Sequence, residues 1–341
     1  MSDLTNKNGL YSKIADLLKI AKQNVVRAVN QTMVYTYYEI GRMIVEDEQQ
    51  GKERAEYGKQ VLKELSKRLL TEFGKGFSVQ NLENMRKFYL LYADSEKSQS
   101  LIRISERNNA MLSWTHYLVL IRIENDDERG FYEIESLNNN WSVRELKRQF
   151  DSALYERLSL SRDKEEMKQL SVKGQIIEKP LDILKDPYVL EFLELPELNQ
   201  YSENDFETAI INKLEHFLLE LGKGFTFVGR QVRITIDEKH FKIDLAFYNR
   251  LLKCFVIIDL KIGELTHQDL GQIQMYVNYY DRFVKLPEEN KTIGIILCKD
   301  KSKSLVEITL PEDNNSIFAG KYQTVLPDKK AFIKILKETE I

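Results

Sequence analysis

The sequence has few of the residues that mark disulfide-rich, fibrous or disordered chains. Its 341 residues include only 2 cysteines, 6 prolines and 15 glycines. Cys254 and Cys298 lie in apolar runs and belong to no CxxC or Cys/His pattern, so we predict two buried thiols rather than a disulfide framework or a zinc site. With 43% hydrophobic and 30% charged residues, the composition is typical of packed globular domains.

A signal peptide and a membrane span are also missing from the sequence. The start "MSDLTNKNGL" has neither a basic nor an apolar leader region, and no apolar run approaches the roughly 18 residues of a membrane span. We therefore expect a cytoplasmic protein without membrane contact. The 50 Lys and Arg against 53 Asp and Glu give a net charge of −3, so any surface for a polyanion must be local. The P-loop motif is absent, and we predict no nucleotide cofactor.

The hydrophobic pattern divides the chain into three parts. Residues 1–158 have apolar positions at three- and four-residue spacing, which predicts a helical domain. Residues 159–199 are charged, contain three of the six prolines and predict a linker with short helices. Residues 200–341 begin with a helix and continue with strand-like runs, which predicts an α/β domain.

Gly74 and Gly76 break one helix of the N-terminal part, and Ser78 can cap the next one. Such a helix, turn, helix arrangement occurs in DNA-binding proteins, but also in many helical pairs that only pack together. In the DNA-binding interpretation, the second helix presents side chains of the types that contact bases and phosphates. These side chains are Gln80, Asn81, Asn84, Arg86 and Lys87.

A second basic helix begins at a capping box formed by Ser142 and Glu145. It carries three basic side chains, which either contact nucleic acid or form a solvated face: Arg144, Lys147 and Arg148. The long apolar stripes of the N-terminal helices also fit a third interpretation, a surface for homodimerisation. The first of these stripes consists of Leu10, Ile14, Leu17, Leu18 and Ala21.

The C-terminal part reads as a mixed sheet. Three strand-like runs, 225–236, 241–249 and 254–262, are joined by short polar turns and therefore form an antiparallel meander. A helix over 267–281 then leads to the apolar run "TIGIILC". Because a crossover helix joins parallel strands, we expect this fourth strand to lie parallel to the third.

Two opposite charges, Asp259 and Lys261, interrupt the apolar run "CFVIIDLKI". Side chains two apart on a strand share a face, so this pair alone would fit an internal salt bridge. Antiparallel pairing, however, brings Asp244 of the preceding strand beside Asp259. Two carboxylates at one site raise each other's pKa unless a cation or a lysine lies between them. A hard divalent ion with oxygen ligands fits both acids.

Two helices add polar side chains to this group. Glu207 lies on an otherwise apolar helix stripe with Ile210 and Leu214, and an acid there needs a partner. Gln272 and Tyr276 are four residues apart on the crossover helix and share a face near the end of the third strand. Each of these residues alone could be an ordinary boundary or core residue.

The order of these elements resembles the PD-(D/E)xK nuclease superfamily. The order is an acid on a helix, Asp on strand two, Asp-x-Lys on strand three and Gln-x-x-x-Tyr on the next helix, and the last element resembles the RecB-type branch. More closely, the chain is similar to the YhcG family of bacterial proteins, through "FYEIESLNNNWSVRELKRQFDSALYERL", "FLLELGKGFTFVGRQ", "FYNRLLKCFVIIDLKIGE" and "GIILCKD". Ile243 replaces the proline of the superfamily's name, and Asp259 replaces a common Glu, without loss of a required functional group.

The resemblance covers nearly the whole chain and implies a restriction-endonuclease-like core that hydrolyses phosphodiesters in DNA, with RNA left open. It implies Mg²⁺, with Mn²⁺ as a substitute, held by Asp244, Asp259, the Leu260 carbonyl and Glu207, while Lys261 orients the attacking water. Gln272 and Tyr276 would position the phosphate or the lysine. Backbone contacts are expected from Arg230, Gln231 and Lys242. The alternative is a DNA-binding or assembly protein whose nuclease fold has lost catalysis.

Overall fold

The structure, a computed structural model, describes residues 3–50, 55–93, 112–159, 164–195 and 201–338. The chain divides into two compact units, Met1–Lys147 and Arg148–Ile341. Within the described residues, no helix combines the length and the apolar character that crossing a membrane requires.

The described part of the N-terminal unit is helical, as the sequence predicts. A short 3₁₀ turn, Lys75–Phe77, joins the second and third helices. In the described part of this unit, the helices that begin are α1 (Asp3–Gln50), α2 (Ala55–Phe73), α3 (Val79–Tyr92), α4 (Trp114–Leu120), α5 (Asp126–Asn138) and α6 (Val143–Asp151).

The turn between α2 and α3 follows from its glycines and its serine cap. Gly74 has a φ of 86°, which a residue with a side chain rarely adopts, and α2 ends one residue earlier. The Ser78 hydroxyl accepts a hydrogen bond from the Asn81 backbone N–H at 3.3 Å and caps α3. The predicted helix, turn, helix arrangement is therefore present.

Part of the core of the N-terminal unit lies among α1, α2 and α3. One cluster there consists of the buried side chains Tyr37, Ile44, Leu62, Leu82 and Met85, and further helices of the unit bury aromatic side chains such as Phe131 and Tyr132. At Gly41 of α1, a Cβ atom would collide with the Met85 carbonyl of α3, so α1 and α3 approach more closely than a side chain at this position would allow.

The first apolar stripe of α1, in contrast, remains on the surface. Leu10, Leu17 and Leu18 are 61%, 66% and 64% exposed. Ile14 of the same stripe, and Val25 one turn after the stripe ends, are 48% and 63% exposed. Among the residues that the structure describes, the buried side chains of α1 all lie in its second half, from Val34 onward.

The C-terminal unit contains a six-stranded mixed sheet. Its strands are β1 (Tyr188–Val189), β2 (Phe225–Ile236), β3 (Lys239–Asn249), β4 (Cys254–Leu260), β5 (Ile293–Cys298) and β6 (Ile317–Gln323). Its helices after α6 are α7 (Leu154–Ser159), α8 (Lys164–Lys173), α9 (Glu203–Asn212), α10 (Leu214–Leu221), α11 (His267–Phe283), α12 (Lys303–Thr309) and α13 (Lys329–Glu338).

The strand order is β1-β6-β5-β4-β3-β2. Strands β2, β3 and β4 form an antiparallel meander, and β4, β5, β6 and β1 run parallel to one another. The predicted meander and the predicted parallel fourth strand are confirmed. The sequence did not reveal β6 or the two-residue β1, because short or interrupted strands carry little alternation of polar and apolar residues.

Both faces of the sheet are covered by helices. On one face, Phe206 of α9 and Phe217 of α10 pack with Leu245 and Ile258. On the other face, α11 packs closely against β5, where a Cβ at Gly294 would collide with Ile273. The predicted single helix after residue 200 is two helices, because Lys213 leaves the helical conformation (φ −117°, ψ 29°).

Part of the predicted linker belongs to the C-terminal core. Tyr188 pairs with Tyr322 as β1 joins the sheet edge. Ile183 and Tyr188 are 1% and 0% exposed in the same cluster as the strands. Prolines and charges in this segment gave it the composition of a linker, although the consecutive residues Tyr188, Val189 and Leu190 are fully buried. The C-terminal unit accordingly begins at Arg148 rather than near residue 200.

A buried ionic cluster joins the segment between Arg148 and Glu191 to Glu220 of α10. Arg157 Nη1 donates to Glu220 Oε1 at 2.7 Å, and both side chains are fully buried. Arg148 Nη2 donates to Glu220 Oε2 at 3.3 Å, and Arg148 Nε donates to Glu191 Oε1 at 2.7 Å. The Arg148 side chain is only 13% exposed, so it does not share the solvated basic face predicted for this helix.

Candidate active site

The charged pair of β4 lies where this strand ends. Asp259 is the second-last residue of β4, and its side chain is 2% exposed. Lys261 follows the strand, and its backbone N–H donates to the Leu297 carbonyl of β5 at 2.8 Å. The Lys261 Nζ lies 3.0 Å from Asp259 Oδ2. The two side chains therefore share a face, as the two-residue spacing predicts.

Asp244 lies on the neighbouring strand at the matching position. The β3–β4 ladder ends at Leu245 and Ile258, so Asp244 and Asp259 follow one residue beyond the last pair. Asp244 Oδ2 accepts a hydrogen bond from the Leu260 backbone N–H at 2.9 Å. The side chain thus takes the place of the next ladder hydrogen bond, and the two acids lie where the pairing of β3 with β4 ends.

Burial, together with neighbouring carboxylates, makes both acids reluctant to ionise. Burial raises the pKa of Asp259 to about 7; Lys261 opposes this shift, whereas Asp244 and Asp269 add to it. Burial also raises the pKa of Asp244, against the Leu260 N–H and the Lys261 charge. Burial alone would lower the pKa of Lys261, but its carboxylate neighbours, led by Asp259, outweigh burial and raise it.

Two acids that the sequence reading missed also lie beside Lys261. The Lys261 Nζ is 3.9 Å from Glu203 Oε1 and 3.8 Å from Asp269 Oδ1. Asp269 accepts from Thr266 in the capping box of α11. Glu203 lies one helical turn before Glu207. A capping box directly after Asp-x-Lys, and an i,i+4 acid pair on α9, were the signals that could have identified them.

Glu207 on α9 is held by two residues of β2. Its side chain is 2% exposed, and the Arg230 Nε lies 2.8 Å from Glu207 Oε1. The Gln231 side-chain amide donates to Glu207 Oε2 and also reaches Asp244 Oδ1 at 3.5 Å. Arg230 and Gln231, predicted as contacts for nucleic acid, are thus engaged with the acids in this structure.

The Gln-x-x-x-Tyr element of α11 forms a hydrogen-bonded chain to β3. Gln272 Nε2 donates to the Tyr276 hydroxyl at 2.7 Å, and this hydroxyl donates to the Lys242 carbonyl at 2.9 Å. Tyr276 is buried, whereas the Lys242 side chain is exposed. The element therefore anchors β3 two residues before Asp244.

The carboxylate oxygens at this site fit a cation that is bound by few protein ligands. Asp259 Oδ2 and Glu207 Oε1 are buried and make no hydrogen bond to any described residue, although Lys261 and Arg230 lie at ion-pair distance. In the described residues, no three His, Cys, Asp or Glu side chains are grouped as a metal site. Mg²⁺ usually keeps several waters and uses one or two carboxylates. Asp244 and Asp259 meet that requirement, and the Gln231 amide links Glu207 to Asp244.

The remaining predicted contacts for nucleic acid lie on the N-terminal helices. Gln80, Asn84 and Lys87 share one face of α3, where Gln80 and Lys87 are exposed. Arg86 points elsewhere, since its Nε lies 2.6 Å from Glu48 Oε2 of α1. The Asn81 side chain donates to the Gly76 carbonyl at 2.6 Å and so stabilises the turn. On α6, Arg144 and Lys147 are exposed.

Known proteins match both halves of the chain. Residues 181–337 match the model of the YhcG PDDEXK nuclease domain, and residues 13–157 match that of the DUF1016 N-terminal domain. Over an alignment of 353 residues, the chain is 40% identical to "Putative nuclease YhcG" of Escherichia coli (strain K12), with 97% of this chain and 94% of that protein covered. The chain belongs to the YhcG family. Membership of the YhcG family confirms the resemblance found in the sequence.

The YhcG family assignment supports nuclease activity, the hydrolysis of phosphodiester bonds in nucleic acid. Nucleases of the PDDEXK class generally use divalent metal ions. A solved structure, that of a repair endonuclease from Pyrococcus abyssi, matches 37% of this chain and 50% of its own, with 16% identity and a TM-score of 0.26. That likeness is too limited to inform the site.

Proposed function

We propose that the C-terminal unit is a deoxyribonuclease that depends on Mg²⁺, with Mn²⁺ as a substitute. The observation that carries the proposal is the buried Asp259 near the end of β4, beside the partly buried Asp244 of β3, with Lys261 Nζ 3.0 Å from Asp259 Oδ2. Burial raises the pKa of Asp259 to about 7, which is a high cost for a residue with only a structural role. A bound cation would remove that cost.

The protein's own residues have distinct roles in this proposal. Asp244 and Asp259 would hold the cation, with help from the Leu260 carbonyl and from Glu207. A divalent cation supplies positive charge that activates a water molecule and offsets charge on the phosphate. Lys261 would orient that water and donate to the phosphate oxygen as negative charge develops.

A cleavage assay with matched variants tests the proposal. The purified chain is incubated with duplex, single-stranded and branched DNA and with RNA, in Mg²⁺, Mn²⁺ or Ca²⁺. We expect DNA cleavage with Mg²⁺ or Mn²⁺, and binding without cleavage in Ca²⁺ because its coordination is looser. Asp259→Asn and Lys261→Ala should each lower the rate by at least about 100-fold, while circular dichroism shows an unchanged fold.

Equal cleavage by the wild type and both variants would contradict the assignment of the site. Binding of DNA by the wild type without cleavage in any of the cations would favour the other interpretation, a nuclease fold that serves in binding or assembly. Preferential cleavage of RNA would correct the substrate class.

The N-terminal unit is proposed to recognise DNA through the exposed face of α3. Lys87 and Gln80 lie on this face, one turn of helix to either side of Asn84. Lys87→Ala should weaken DNA binding and reduce the slope of log K against log[salt] by about one. Arg68→Ala provides a control, because Arg68 is an exposed base on α2 whose side chain pairs with Glu64. An equal effect of both variants would argue against α3.

The exposed stripe of α1 supports a further part of the proposal, self-association of two chains. Leu17 and Leu18 are 66% and 64% exposed on a 48-residue helix. Leu17→Glu should shift the mass found by sedimentation from dimer to monomer, with little dependence on salt because the contact is apolar. A monomeric wild type would contradict self-association through α1, and the nuclease proposal would not be affected.

A further inference from the structure

The backbone of Gln231 is unusual for a residue within a strand. Its φ is +49°, in the left-handed region that residues with side chains rarely adopt. On either side of it, Arg230 pairs with Leu245 and Val232 pairs with Ile243. The pair that would join Gln231 to Asp244 is missing from this ladder. The distortion therefore lies directly opposite one of the candidate catalytic acids.

In both strands, β2 and β3, the side chains on either side of this position point to opposite faces of the sheet. Leu245 packs on the side of the sheet covered by α9 and α10, whereas Ile243 packs on the side covered by α11. Residues two apart on a regular strand share a face, so β3 turns over at Asp244. On β2, Arg230 likewise reaches an acid of α9, whereas Val232 packs on the α11 side.

The side chain of Gln231 indicates what this distortion achieves. Its amide donates to Glu207 Oε2 and lies 3.5 Å from Asp244 Oδ1. One side chain thus links an acid on a helix to an acid on a strand. Asp244, in turn, accepts the backbone N–H of Leu260 between Asp259 and Lys261. The contact connects α9 with the strand end that carries the reactive pair.

We propose that Gln231 is a positioning residue, which holds the carboxylates of Glu207 and Asp244 at one site and uses its left-handed backbone to aim the amide. The inference rests on the proposed function, in which both carboxylates serve the reaction. Like charges repel, so two acids that must stay close need a donor between them. A glutamine amide offers two N–H donors and no net charge. It orients the acids without adding a positive charge that would compete with a cation.

Two substitutions separate positioning from stability. Gln231→Gly and Gln231→Ala both remove the amide, but only glycine adopts the left-handed conformation without strain. We expect the glycine variant to melt at a higher temperature than the alanine variant. Both should lose about 10- to 100-fold in kcat, with the KM for DNA nearly unchanged. If Gln231 only stabilised the fold, activity would follow stability, and the glycine variant would be the more active one.

A matched control exists in the turn that joins β2 and β3. Glu238 also has a positive φ, +66°, but it is exposed and belongs to no part of the site. Glu238→Gly relieves the same kind of strain, so its melting temperature should be unchanged or higher. Its cleavage rate should equal that of the wild type.

Cation binding without DNA gives a readout that does not depend on cleavage. Calorimetric titration with Mn²⁺ should show affinity at least about 10-fold weaker in both Gln231 variants than in the wild type. Equal Mn²⁺ affinity and equal kcat in wild type and variants would overturn the inference, even where Asp259→Asn abolishes cleavage and the proposed function stands. If the wild type cleaves no nucleic acid, the proposed function fails, and the calorimetric comparison alone decides the role of Gln231.

Discussion

Glu220 and Asp259 are both buried in the C-terminal unit, yet their pKa values are shifted in opposite directions. Glu220 is 0% exposed and Asp259 is 1% exposed. Burial by itself would raise both values, but the pKa of Glu220 is lowered to about 2, whereas that of Asp259 is raised to about 7. The surroundings of each carboxylate, rather than its depth, decide the direction.

The two carboxylates differ in how completely their charge is compensated. Glu220 accepts hydrogen bonds from Arg157 at 2.7 Å and from the Val189 N–H at 3.0 Å, and Arg148 lies at 3.3 Å. Asp259 has Lys261 at 3.0 Å, but its Oδ2 makes no hydrogen bond to a described residue, and Asp244 adds repulsion. A fully compensated acid stabilises the fold, whereas an under-compensated acid is costly to ionise until a cationic ligand supplies the missing charge.

The largest expected effect is on stability, at Glu220. Glu220→Gln leaves the Arg157 guanidinium buried without an opposite charge, which typically costs about 3–5 kcal/mol. Urea unfolding followed by circular dichroism measures this loss. The cleavage rate per folded molecule should remain that of the wild type, because Glu220 lies outside the candidate site. An unchanged midpoint would contradict the view that this cluster stabilises the unit.

The next-largest expected effect is the stability gained on binding a divalent cation, which should depend on Asp259 but not on Glu220. Ca²⁺ at about 100 times its Kd should stabilise the wild type by about 2.7 kcal/mol, because only the folded site binds it. Glu220→Gln should retain this increment from a lower starting point, and Asp259→Asn should lose it. Thermal melts with Ca²⁺ and with EDTA give the comparison. An equal Ca²⁺ increment in Asp259→Asn would exclude Asp259 as a ligand.

The smallest expected effect is a gain of stability in Asp259→Asn without metal, of roughly 1–3 kcal/mol at pH 8. The folded protein holds a proton on Asp259 up to about pH 7, whereas the unfolded chain releases it near pH 4. The contribution of this acid is therefore greatest below pH 4 and is lost as the pH rises to 7. Asparagine does not titrate, so the gain should grow over that window, as urea unfolding in EDTA can measure. A constant difference between pH 4 and 8 would contradict the raised pKa.

Short-range spacing made several parts of the site predictable. The two-residue spacing of Asp259 and Lys261 requires a shared face on any strand, and the four-residue spacing of Gln272 and Tyr276 requires one on any helix. The short polar turns required the meander, and the meander brought Asp244 to the end of β4. Each of these inferences uses contacts between neighbours in sequence or across a tight turn.

Contacts between distant segments were not predictable in the same way. Gln231 looked like a residue on an ordinary strand, and nothing local indicates that both strands turn over where it meets Glu207. Arg148 looked like one of three bases on an exposed helix until the fold brought Glu220 to it. The segment around Tyr188 looked like a linker until β6 offered an edge for pairing.

The sequence by itself determined the helical and α/β parts, the meander, the family and the Asp244, Asp259 and Lys261 set, because these depend on local periodicity and on motifs. Only the tertiary structure decided which charges are compensated. It surrounded Glu220 with arginines and left Asp259 with Lys261 and other acids. The physical reason is that the cost of a buried charge depends on every charge and donor within a few ångströms, and most of these come from elements far apart in the chain.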